Sequence, residues 1–181
     1  MGGRLIPLLV IAAASCGPRP EPAAAVKEAP WVPDAGAVVT AVAPEQPFHF
    51  DHTIHAGKYQ IPCQTCHAYA DHSPIAGIPT AAKCMGCHRF VDKQKPDVQA
   101  LEAAFEAGDR VAWNRVTRVP DHVGFNHEPH IQAGVRCQKC HGAVETMKVV
   151  RMAKPLDDMG FCVDCHRANH APVDNCIVCH K

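Results

Sequence analysis

Cys63-Gln64-Thr65-Cys66-His67 is the first of five Cys-x-x-Cys-His segments in this 181-residue chain. The others are Cys84-Met85-Gly86-Cys87-His88, Cys137-Gln138-Lys139-Cys140-His141, Cys162-Val163-Asp164-Cys165-His166 and Cys176-Ile177-Val178-Cys179-His180. This is the attachment signature of a c-type haem, in which both cysteines form thioethers to the porphyrin vinyls and the histidine ligates iron. Two intervening residues let both sulfurs reach one porphyrin edge, and the next residue falls under the metal. Histidine makes up 13 of 181 residues, so five cysteine pairs would all precede one by accident in about one chain in half a million. Zinc, the rival for paired cysteines, gives no reason for a histidine after every pair, and five pairs do not divide into tetrahedral twos. A dithiol redox site needs only one pair, in a βαβ setting that is absent here. The motifs therefore predict five covalently bound haems c.

Working outward, the haem region begins near Phe48 and leaves about 134 residues for five porphyrins. A haem is larger than any side chain, and aromatic residues are only 6% of the chain, so the porphyrins must supply most of the core. The expected fold is a small, mostly irregular and α-helical multihaem cytochrome c, with short helices after each motif and little or no β-sheet. One further helix is predicted over Asp97–Gly108, where Val98, Leu101 and Phe105 recur at helical spacing and Gly108 supplies a stop. That stripe reads as packing.

Ahead of the haem region, Leu5–Ala14 is an apolar run too short to span a bilayer and follows a lone Arg4, the pattern of a signal peptide over residues 1–15. Ala13-Ala14-Ser15-Cys16 resembles a bacterial lipoprotein cleavage box, with Cys16 as the lipidated residue. Ten of the eleven cysteines belong to the motifs, and a spare thiol beside haem-attachment sites would be a liability. Residues 16–47, rich in Pro and Ala, read as a tether. These features predict an exported, lipid-anchored protein on the periplasmic side of a bacterial membrane. The formal charge is zero, and no basic patch suggests nucleic acid.

An internal repeat supplies further histidines. Phe50-Asp-His52-Thr-Ile-His55-Ala-Gly57 precedes the first motif, and Phe125-Asn-His127-Glu-Pro-His130-Ile-Gln-Ala-Gly134 precedes the third. The chain thus reads as a module near 48–90, a second near 123–166, and an appended fifth motif. Histidines three apart share a face of a helical turn. The pattern resembles class III multihaem cytochromes c, and the resemblance implies distal ligand roles. His52 would serve the Cys63/Cys66 haem and His127 the Cys137/Cys140 haem, while His55 and His130 would each reach another haem. The motif histidines His67, His88, His141, His166 and His180 are the proximal ligands. Outside these, His49, His72, His122 and His170, with Met85, Met147, Met152 and Met159, are the remaining candidates for a fifth distal ligand. Met147, Met159, His170 and His72 lead, with an open site as the alternative.

Longer stretches resemble the pentahaem cytochrome subunit of alternative complex III. They include Ala76-Gly-Ile-Pro-x-x-x-x-Cys-Met-x-Cys-His88, Trp113-x-Arg-Val116, Pro120-Asp-x-Val-x-Phe-Asn-His127 and Pro155-Leu-x-x-Met-Gly-Phe-Cys-x-Asp-Cys-His-Arg167. This resemblance implies an electron-transfer subunit, not itself an enzyme, of a membrane-associated quinol-oxidising complex. Its partners would be a quinol-oxidising membrane subunit, an iron–sulfur/molybdopterin-like subunit and a downstream cytochrome c or oxidase. Family members often carry a transmembrane helix, where this chain offers Cys16. A free or anchored periplasmic shuttle is the alternative. A multihaem reductase is disfavoured, because the nitrite-reducing family replaces one motif histidine by lysine and all five are histidine here.

Overall fold

The computed structural model describes residues 43–181, so the predicted signal peptide, Cys16 and most of the tether lie outside the described residues. Six α-helices occur there: α1 (Cys63–Cys66), α2 (Ala81–His88), α3 (Pro96–Glu106), α4 (His127–Gln132), α5 (Cys137–His141) and α6 (Met159–Ala168). A π-helix covers Thr53–Lys58, and 3-10 turns cover Val144–Thr146 and Cys176–Val178. Among the described residues the sole β feature is an isolated antiparallel bridge between Val123 and His180. The fold is thus the small helical and irregular type expected. No helix there is long and apolar enough to cross a membrane.

One expectation is corrected. Helical turns run through the attachment motifs rather than following them: α1, α2, α5 and α6 each contain a cysteine pair, and the fifth pair flanks a 3-10 turn. The reason is local. Residues three apart stand on the same side of a helical turn, and a porphyrin edge needs both sulfurs there.

Helix α3 forms nearly where predicted, opening with Pro96 at its first turn and ending before Gly108, whose φ is 72°. Val98 and Leu101 are buried, whereas Phe105 sits at the exposed margin. Leu101 packs with Ala81 and Met85 of α2, and Phe48, Cys84 and Val111 close the cluster. Among the described residues the buried apolar side chains are Ala70, Ala81, Met85, Val98 and Leu101. Met85 therefore serves the apolar core. Two short helices have clear stops and starts: Asn126 caps α4 by accepting from the Glu128 N–H at 3.1 Å, and Asp158 caps α6 by accepting from Gly160 N–H at 2.8 Å.

The two repeats differ by one residue, because His55 to Cys63 is one step longer than His130 to Cys137. The extra residue is wound into the π-helix. Tyr59 N–H donates five residues back to Ile54 at 3.0 Å, where Ala133 N–H donates four back to Pro129. Beyond this point the repeats converge again. Ile61 N–H closes on the His55 carbonyl and Val135 N–H on that of His130, both at 3.0 Å. Gln60 and Gly134 take the left-handed position three residues before the cysteine, with φ of 52° and 82°.

The π-helix also packs against the turn at Val144–Thr146, joining the two modules. A Cβ on Gly57 would stand 2.6 Å from the Glu145 carbonyl oxygen, a backbone atom that cannot swing aside. Gly57→Ala is therefore expected to destabilise the protein by about 1–3 kcal/mol, the range for overpacking. Thermal melts followed at the haem Soret band check this; an unchanged midpoint would show that the modules are not clamped here.

Candidate haem centres

Each repeated phenylalanine holds its two histidines in the same way. Phe50 meets His52 edge-on at 4.7 Å and stacks on His55 at 4.5 Å. Phe125 meets His127 edge-on at 4.7 Å and stacks on His130 at 4.8 Å. The second histidine of each pair donates Nδ1–H to the carbonyl four residues back: His55 to Asp51 at 3.0 Å and His130 to Asn126 at 2.7 Å. His127 Nδ1–H donates to Pro74 of the first module at 2.9 Å, His67 to Gly77 at 2.7 Å, and His166 to Pro172 at 2.9 Å. A carbonyl can only accept, so these bonds fix the tautomer and leave Nε2 with its lone pair, the arrangement of a metal-ligating imidazole. The Nδ1 atoms of His52 and His88 are buried without a hydrogen-bond partner, so packing alone orients those rings.

Every motif histidine has a histidine from outside the motifs beside it. Ring centroids are 6.0 Å apart for His55 and His88, 6.3 Å for His127 and His141, and 5.8 Å for His130 and His166. His52 lies near His67, and burial, then His67 and His55, pushes its imidazole pKa down to about 4. Burial, then His127 and His67, lowers His141 as well. Neutral imidazole is the form that binds metal. Two metal–nitrogen bonds of about 2 Å plus the ring radii put the centroids of two imidazoles on one iron roughly 6 Å apart. The residues fit the group.

The fifth motif has a partner too. His122 and His180 lie 5.6 Å apart with ring planes 12° from parallel. Sequence reasoning named His122 only among the remaining histidines and placed others ahead of it. Those others sit elsewhere: His72 pairs with Asp71, His170 is exposed past α6, Met159 is exposed at the start of α6, and the Met147 methyl lies by Gly142. The phenylalanine clamp was also missed, although its recurrence two residues before each first histidine was visible.

The cysteine sulfurs adjoin in a definite order. Cys66 lies near Cys87 and Cys84, joining motifs one and two. Cys137 lies near Cys63, joining three and one. Cys140 lies near Cys165 and Cys162, and Cys162 near Cys179, so four and then five follow. In space the motifs run two, one, three, four, five. Burial pushes the Cys140 thiol up to about 11 and raises Cys66, Cys84, Cys137 and Cys162, the opposite of an activated redox dithiol. Among the described residues, no three His, Cys, Asp or Glu converge on a point that a lone ion could take.

Comparison with known families points to the same class of protein. Residues 26–112 match the class III cytochrome c family, and residues 123–181 match cytochrome c7 and related cytochromes c. Each half of the chain is therefore similar to a multihaem cytochrome c family. A menaquinone reductase multihaem cytochrome c subunit from Nitratidesulfovibrio vulgaris (strain Hildenborough) is 29% identical over 164 residues, covering 76% of this chain and 77% of its own. Both families imply covalently bound haem c and electron transfer, in which the redox chemistry belongs to the haem and the protein positions it and sets its environment.

Proposed function

We propose that this cytochrome is a five-haem wire, the electron-carrying subunit of a membrane complex that exchanges electrons with quinones. The observation that carries the reading is the spatial order of the motifs, in which each attachment site adjoins the next and the sites of motifs two and five stand at the ends. In the proposed ligation His52 serves the first haem, His55 the second, His127 the third and His130 the fourth, opposite His67, His88, His141 and His166. Histidines three apart on one helical turn tie two porphyrins to one short segment and keep them close.

The relative's name, a menaquinone reductase subunit, supports a quinone-linked partner. The same wire serves either direction. Quinol oxidation, with electrons leaving to a downstream cytochrome c or oxidase, follows from the resemblance to alternative complex III. Delivery of electrons to menaquinone follows the relative. The predicted lipid on Cys16 would hold the cytochrome at the periplasmic face beside its membrane and iron–sulfur/molybdopterin-like partners, and two or three acyl chains anchor stably where one is marginal.

The test is purification of the native protein from membranes. Mass spectrometry should find five haems and an acylated Cys16, and menaquinol should reduce the haems of the co-purified complex. Cys16→Ser should move most of the separately expressed cytochrome into the soluble fraction. Purification alone from soluble extract, with no acylation and no quinol response, would replace this reading by a free shuttle.

A further inference from the structure

We infer that His122 is the distal iron ligand of the fifth haem, opposite His180, so that this haem is six-coordinate and bis-histidine like its neighbours. The inference rests on the haem reading of the motifs above. It uses a residue just outside the stretch matching the cytochrome c7 family, which starts at residue 123.

Three observations converge on it. The His122–His180 separation of 5.6 Å falls with the 5.8–6.3 Å of the other measured pairs, all joining a motif histidine to one from outside the motifs. The backbone fixes this neighbour. Lys181 N–H donates to the His122 carbonyl at 3.0 Å, Gly124 N–H donates to that of Cys179, and Val123 bridges His180 between them. Such pairing holds the two segments in register, so the rings meet through the fold rather than through a wandering side chain. Finally, the assignment leaves no motif histidine without a partner.

The consequence is a three-pronged segment. His122, His127 and His130 stand on one stretch of chain and face His180, His141 and His166, so the loop and α4 together would hold the third, fourth and fifth haems. An aromatic contact alone between imidazoles could also fall at 4.5–7 Å, and the experiment must separate the two.

The test uses the full-length holoprotein. In His122→Ala, about one-fifth of the haem should turn from low-spin to high-spin and become CO-reactive, with all five haems still attached. Added imidazole should restore the low-spin spectrum, which a merely structural role would not predict. His122→Met should stay low-spin with one haem raised in potential. His72→Ala and His170→Ala should leave every haem low-spin. The inference is overturned if His122→Ala keeps five attached haems that are all low-spin, if the unmodified protein already carries one high-spin haem, or if His72→Ala or His170→Ala produces the change. Should His122→Ala fail to mature, the His122→Met potential shift decides: no shift overturns it. Loss of haems from the unmodified protein's mass would instead break the reading on which the inference rests.

Discussion

Produced where haem cannot be attached, the chain from residue 43 onward is expected to remain unfolded: little helical circular dichroism, no cooperative melt and rapid proteolysis throughout. The polypeptide's own core is five buried apolar side chains, two of them alanines, and most lie in one patch between α2 and α3. Fixing the backbone costs about 1–2 kcal/mol per residue, a cost normally offset by a continuous apolar interior. The helices cannot stand alone either. Apart from α3 and α6 they are eight residues or fewer, well below the roughly 12–15 at which an isolated helix becomes even marginal in water. Attachment should convert this chain to a folded state in one step, as structural zinc does for a zinc finger. A cooperative thermal transition in the haem-free protein would overturn the view that porphyrins are the core.

Replacing His127 by methionine should cut the wire at its middle without removing a haem. His127 faces His141 at 6.3 Å, and its Nδ1–H is held by Pro74 from the other module. Methionine keeps iron six-coordinate but raises the potential, and axial ligands command a span of about 0.8 V. A rise of ~100 mV biases a one-electron equilibrium roughly fiftyfold toward the altered haem, at 59 mV per tenfold. Because the third motif lies between motif one and motif four, electrons entering at either end should collect there. Spectroelectrochemical titration should show a single haem displaced upward, and rapid-mixing kinetics should show end-to-end transfer slowed at least tenfold. His49→Ala, at an exposed residue beside Asp97, is the neutral control. Unchanged potentials would remove His127 from the ligand set; a displaced potential with unslowed transfer would overturn the order of the wire.

Local chemistry was legible in the sequence, and distant pairing was not. Two thioethers and an iron bond must close within five consecutive residues, so Cys63–His67 and its four counterparts declare themselves by spacing. The Phe-x-His-x-x-His pairs read nearly as well, because one helical turn sets their geometry. His122 is different. Its neighbour His180 lies at the far end of the chain, and the Val123 bridge that brings them together leaves no periodic trace. The meeting of Cys63 with Cys137 is equally remote, and it alone makes the spatial order depart from the order along the chain. The helices were displaced from expectation for a smaller reason: the porphyrin edge asks for a turn between the cysteines, while their placement afterwards was inferred only from the need for some regular structure.

The π-helix at Thr53–Lys58 shows how such a protein tolerates insertion. A residue added to a loop that carries a metal ligand would ordinarily swing that ligand off its iron. Here the surplus is taken up as extra winding just past His55, and the chain is back in phase by Ile61, before the next cysteine. Position 60 bears the residual cost, since a glutamine holds the left-handed conformation that glycine holds in the sister repeat. The interval between the paired histidines and the following motif is therefore where the two repeats differ in length while keeping matching backbone hydrogen bonds before the cysteine.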